Sequence, residues 1–177
     1  APRTSAVESS HGPDSGTTAQ KPVASAWTAG FLQSPPARPL MAGGTYTLLV
    51  ELSRSVTLDV GALGEVALDA GWYGYTGSAL GSGGFSRLDR YRAVAAGERD
   101  VRHWHVDYLL GHDAATVASD VRTADEVECA VARRLLDAVP GFGCSDCDCT
   151  SHLTWAADES ALRAAVEDAH RAASDGR

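Results

Sequence analysis

Apolar and polar positions change their spacing several times along the chain, and each change marks an element. Residues 45–52, TYTLLVEL, form a β-rich run closed by the turn-prone Ser53-Arg54-Ser55. Residues 56–60, VTLDV, and 65–68, EVAL, alternate and predict two short strands. Residues 71–76, GWYGYT, predict a further strand, in which two glycines point to a bend or a close backbone approach. A glycine-rich connection over 77–84 leads to a helix over 85–95, with Leu88 and Tyr91 on one face. Residues 103–110, HWHVDYLL, fit a strand or a short helix, and 116–122, TVASDVR, fit an edge strand. The stripe Val127, Val131, Leu135 and Ala138 predicts an amphipathic helix over 126–138. Asp125 would cap it, with Glu128 three residues on, and Pro140-Gly141 would end it. A short strand over 152–155 follows, then a last helix over 158–173, capped by Asp158, with Leu162, Ala165, Val166 and Ala169 on one face. The order predicts an α+β fold: a small, mostly antiparallel sheet flanked by helices.

Residues 1–42 have no such periodicity. They are rich in Ser, Thr, Ala, Pro and Gly and are broken at Pro35-Pro36 and Pro39, which predicts a disordered or loosely structured tail. Trp27 and Phe31 would let part of it fold or dock. No apolar run reaches the roughly 18 residues of a spanning helix, so no membrane association is expected. No basic region followed by an apolar core marks an export signal, and a cytoplasmic location is the expectation.

Charge adds one constraint. Fifteen Lys and Arg against 23 Asp and Glu give a formal net charge of −8, which on its own argues against a polyanionic partner. Lys21 is the single lysine. One hypothesis is adaptation to high salt, where a Debye length of roughly 3 Å at 1 M makes mean charge a poor guide to binding. A chain that is fully folded in dilute buffer would count against it. Arg87, Arg90, Arg92, Arg99 and Arg102 nonetheless lie close together, interrupted by Asp89, Glu98 and Asp100, and could form a local phosphate-facing patch.

Four residues suggest chemistry. Tyr46 and Tyr75 stand on predicted strands, and Arg87 and Glu128 on predicted helices. A phenol can orient or deprotonate a water. A guanidinium matches phosphate geometry. A carboxylate can hold a hard cation such as Mg²⁺ or Mn²⁺. Together they suffice for metal-assisted phosphodiester hydrolysis with water as nucleophile, although tyrosines on strands are more often packing residues.

The segment 44–155 resembles the Uri branch of the GIY-YIG endonuclease superfamily, also catalogued as a domain of unknown function. Gly44-Thr45-Tyr46 matches the GIY element and Tyr75-Thr76-Gly77 the YIG element. The blocks YTGSALGSGG at 75–84, HWHVDYLL at 103–110 and GFGCSDCDCTSHL at 141–153 resemble that branch more specifically. The resemblance implies a GIY-YIG-like nuclease domain over 43–156, followed by a C-terminal helix and short tail over 157–177. It implies a metal-dependent endonuclease acting on single- or double-stranded DNA, with Tyr46, Tyr75, Arg87 and Glu128 catalytic and Glu128 holding Mg²⁺ or Mn²⁺. Arg87 takes the helical arginine position, with Arg90 as competitor, and Tyr91 the position four residues on. Glu126 competes with Glu128. The asparagine that the superfamily uses to close its site has no counterpart, because the chain contains no asparagine.

Two further groups join this expectation. If 103–110 is a strand, His103, His105 and Asp107 share one face, with His105 assisting proton transfer and His103 binding phosphate. Trp104 or Trp72 would stack bases if exposed, and Arg87 and Arg90 would contact the nucleic-acid backbone. Cys144, Cys147, Cys149 and His152, spaced C-x2-C-x-C-x2-H, would suit a structural Zn²⁺, although the middle spacing is tight. Reduced thiols packed in a loop, or a disulfide, are the other readings. Two functions compete with the nuclease: a nucleic-acid-binding module that has lost cleavage, supported by the missing asparagine, and a zinc-stabilised protein-interaction domain, supported by the cysteines.

Overall fold

A computed structural model describes residues 43–136 and 138–176. The expected tail over 1–42, with Trp27 and Phe31, lies outside the described residues. Strand β1 (Thr45–Leu52) is the centre of a four-stranded antiparallel sheet ordered β5-β1-β4-β6, with β4 at Gly71–Ser78, β5 at Ala115–Thr123 and β6 at Leu153–Ala156. β2 (Val56–Asp59) and β3 (Glu65–Leu68) form a separate antiparallel hairpin. Helix α1 (Arg87–Ala95) follows β4, α2 (His105–Leu110) precedes β5, α3 (Glu128–Ala132) follows β5, and α4 (Glu159–Asp175) ends the described chain.

β1 is buried on both faces because both faces are covered. Its even positions, Tyr46, Leu48, Val50 and Leu52, join Leu88 and Tyr91 of α1 and Val106, Leu109 and Leu110 of α2 in the larger core. Leu49, on the opposite face, packs with Leu162 and Val166 of α4. The alternation of a half-buried strand is therefore masked, since a strand covered on both sides reads as a continuous apolar run. Burying Leu162 or Val166 contributes roughly 1.5–3 kcal/mol each. On that same face Thr47 Oγ1 lies 2.9 Å from Thr76 Oγ1 and 2.9 Å from His170 Nε2 of α4, so a hydrogen-bonded threonine pair meets α4 through that one ring nitrogen.

Three expectations about elements change. Of the strand and the short helix open to residues 103–110, the helix forms, so the shared strand face is lost: α2 starts at His105, and buried Asp107 accepts the backbone N–H groups of His103 (2.9 Å) and Trp104 (3.0 Å) at its start. His103, His105 and Asp107 therefore do not share a face. The helix over 126–138 shrinks to α3. Val127, Val131 and Leu135 do face Ala169 and Ala173 of α4, but Ala138 donates its N–H to Leu153 O at 2.8 Å and packs into the larger core instead. That bond draws the chain toward β6 and ends the helical path. Asp125 does not cap α3, whose first turn is held by Val127 N–H donating to Thr45 Oγ1 at 2.9 Å. Asp158 does cap α4, accepting from Ala161 N–H at 2.9 Å.

Candidate metal centre and adjoining recess

Tyr46 on β1 and Tyr75 on β4 point to the face covered by α1, and around them lies a recess of about 330 Å³. Gly77 opposes Tyr46 in the β1–β4 register, and the Tyr46 hydroxyl lies over it: a Cβ there would sit 2.3 Å from that oxygen. The Tyr46 hydroxyl donates to Tyr91 Oη of α1 at 3.1 Å. Arg87, at the first turn of α1, also borders the recess, and its Nη1 donates to Ser78 O at 2.9 Å. His103, Trp104 and His105 form another wall, Glu128 a third, and Gly143, Ser145 and Asp146 of the cysteine-bearing loop a fourth. Trp104 is 43% exposed at the rim. His105 Nδ1 accepts the Gly143 N–H at 3.0 Å, so the loop is tied to α2, and burial lowers the His105 pKa.

The sequence-predicted recess residues Tyr46, Tyr75, Arg87, His103, Trp104, His105 and Glu128 are thus brought together. Arg90 is not among them. Its Nη2 donates to Asp107 Oδ2 at 2.6 Å, and its guanidinium lies over the Tyr91 ring. Two more arginines of the patch are engaged in the same way, Arg92 with Asp89 and Asp120 and Arg102 with Asp100. Trp72 packs against the α4-side cluster and Glu126 does not border the recess.

The residue after Glu128 on α3 belongs to a second group. Cys129 meets Cys147, Cys149 and His152, with the four ligand atoms all within 4.8 Å of one another. Cys144 is not part of the group, as its thiol is 3.5 Å from Phe142 O. The expected ligand set is corrected by one residue: Cys129, from a separate element, replaces Cys144. A tetrahedral zinc with Zn–S bonds of about 2.3 Å needs sulfurs roughly 3.8 Å apart, so small movements would close the site. The imidazole is already set for it. His152 Nδ1 lies 3.0 Å from Glu128 Oε1 and 3.2 Å from Thr76 O. A carbonyl oxygen can only accept, so Nδ1 carries the proton and the Nε2 lone pair is left facing Cys147 Sγ at 3.4 Å. The thiols are unequal. Burial pushes Cys149 up to about 12 and raises Cys129, whereas at Cys147 the effect of burial is outweighed by hydrogen bonds from Cys149 and by His152, which lower its pKa.

Four protein ligands leave no open position, which is the arrangement of a structural metal site and not of a catalytic one. Electrostatics and hydrogen bonding also shape the groups that line the recess. Burial first, then Tyr91 and Tyr75, holds the Tyr46 phenol well above its ordinary pKa. Burial, Tyr91 and Glu128 do the same to Tyr75. Glu128 is engaged by His152, and among the described residues the Cys129–Cys147–Cys149–His152 group is the one set of three or more such ligands close enough to hold an ion. Thiolates select zinc over the hard Mg²⁺ or Mn²⁺.

The molecule is therefore, as a class, a small α+β domain with antiparallel sheets, flanking helices and a cluster able to coordinate a metal ion. The chain belongs to the family described as domain of unknown function DUF123, whose model matches residues 45–175. That family, not the GIY-YIG superfamily, is the one that matches, and the assignments of nuclease fold, enzyme and DNA-cleaving activity are corrected accordingly. Comparison with curated proteins and with solved structures gives no match. No helix among the described residues is long and apolar enough to cross a membrane.

Proposed function

We propose that this domain is a zinc-stabilised binding module that holds a phosphate-bearing nucleic-acid segment in the recess without cleaving it. The observation that carries the proposal is the convergence of Cys129, Cys147, Cys149 and His152, with the histidine tautomer already set for a metal. In this module the metal ties α3 to the loop that forms one recess wall. Arg87 supplies the cation for a phosphate, tyrosine hydroxyls and His103 supply hydrogen bonds, and the rim indole of Trp104 supplies a stacking surface. The protonated phenols and the engaged Glu128 support binding over hydrolysis.

Two measurements test it. Elemental analysis of tag-free protein should give close to one zinc per chain, and a value far below that removes the metal centre. Labelled single- and double-stranded DNA followed by anisotropy should bind at low salt and weaken as salt rises. Arg87→Ala and Trp104→Ala should each weaken binding, the stacking residue by roughly 1–3 kcal/mol. Unchanged affinity in both variants would move the proposal to protein interaction. A second feature favours that alternative: Leu136 is 82% exposed and Trp155 42% exposed, and both line one shallow groove.

A further inference from the structure

Glu128 stands between the two sites. It begins α3, one residue before the ligand Cys129, and its carboxylate borders the recess while Oε1 meets the Nδ1 proton of the ligand His152 at 3.0 Å. The carboxylate is partly exposed, at 27%, whereas the His152 side chain is 1% exposed. Whatever fills the recess reaches Glu128, and whatever binds His152 Nε2 is felt at Nδ1.

We infer that Glu128 is a positioning residue for the metal ligand His152, and that through this carboxylate metal loading and occupancy of the recess by an anionic group favour each other. The inference rests on the reading of the cluster as a zinc centre and of the recess as a phosphate site, and it adds the regulation of that site. Zinc on Nε2 withdraws electron density from the ring and makes the Nδ1 proton a stronger donor. Glu128 is then held on His152, with its charge spread into that bond and turned from the recess. Without the metal the carboxylate is freer to face the recess and repel a phosphate. Linkage makes the effect reciprocal: an anion in the recess, which disfavours a free Glu128, raises the affinity for zinc by the same factor. The backbone carbonyl of Thr76, 3.2 Å from Nδ1, keeps the tautomer even without Glu128, so loss of the carboxylate weakens the metal site and does not abolish it.

The test is zinc affinity by competition with a chromogenic chelator. The full chain, Glu128→Gln and Glu128→Ala are each measured with and without a saturating 5′-phosphorylated single-stranded oligonucleotide. Glu128→Ala should lose about tenfold or more in zinc affinity. Glu128→Gln should recover part of that, because its amide oxygen still accepts the Nδ1 proton. The oligonucleotide should raise zinc affinity of the parent by about fivefold or more and leave that of Glu128→Ala unchanged. Long-range proton–nitrogen spectra of the zinc-loaded parent should place the proton on His152 Nδ1, with its shift displaced in Glu128→Ala. Equal zinc affinity in parent and Glu128→Ala overturns the inference. So does an oligonucleotide effect of the same size in both, which is what preferential binding to the folded, loaded chain would give without Glu128. A parent that takes up no zinc overturns the inference together with the zinc reading. A zinc-loaded parent that ignores the oligonucleotide overturns the coupling and the nucleic-acid reading, while a drop in zinc affinity in Glu128→Ala would still support the positioning role.

Discussion

Gly77 shows how one missing side chain shapes the recess. The Tyr46 ring occupies the space a Cβ would need, with Oη 2.3 Å and Cζ 2.6 Å from that position. Gly77→Ala should therefore push the tyrosine off Tyr91 and cost about 1–3 kcal/mol by overpacking. Chemical denaturation would measure this, and a change within experimental error would mean that the ring relocates freely. Gly143 is similar but carries a backbone constraint as well. Its φ is +78°, and a Cβ would meet His152 and Tyr75. Most of the recess residues were named through the resemblance of short motifs, since spacing alone does not reveal the set, and strand and helix packing brings their side chains to one recess. The ligand set was only partly readable. Cys144 lies in the same short loop as Cys147 and Cys149, and proximity in sequence favoured it. Cys129 reaches the site through the docking of α3, which spacing does not encode. The signal that could have found it was the family of structural zinc sites itself, whose ligands come from two separated segments.

At the scale of elements, the strands were legible, the four-residue β2, β3 and β6 included, whereas the two short helices α2 and α3 were not. β1, β4, α1 and α4 were expected close to where they stand. α2 was left open between strand and helix because its register depends on Asp107, a buried acid that accepts two backbone N–H groups and the Arg90 guanidinium through one oxygen. The last helix was read from its apolar stripe, and His170 was overlooked on it. His170 is 4% exposed, touches Thr47 through Nε2 and has no partner at Nδ1 among the described residues. Burial lowers its pKa from 6.5 to about 4. The unfolded chain takes up this proton as pH falls through 6.5, and the folded chain resists until about 4. Its contribution to stability is thus fully present above about 6.5 and is lost between 6.5 and 4, up to about 3 kcal/mol. Denaturation midpoints of the parent should fall across that window, and those of His170→Gln should stay flatter. Parallel profiles would remove His170 as the cause.

Across the whole molecule, charge is largely compensated locally: Arg90, Arg92 and Arg102 are paired with neighbouring carboxylates, while Arg87 borders the recess. The sheet itself is uneven. β1 is paired along its length on both sides, whereas β6 pairs with β4 over Trp72–Tyr75 alone and is reached by the loop that holds three of the four candidate ligands. This asymmetry has a consequence in time. Amide exchange should be slowest in β1, where opening means breaking two ladders, and a chelator should speed exchange and proteolytic nicking over 141–156 long before β1 responds. Uniform acceleration across the sheet would show that the metal is needed for the entire fold. With β1 protected, metal supply would set how long the edge of the domain survives among proteases, and the cell's zinc status would be written into the protein's lifetime.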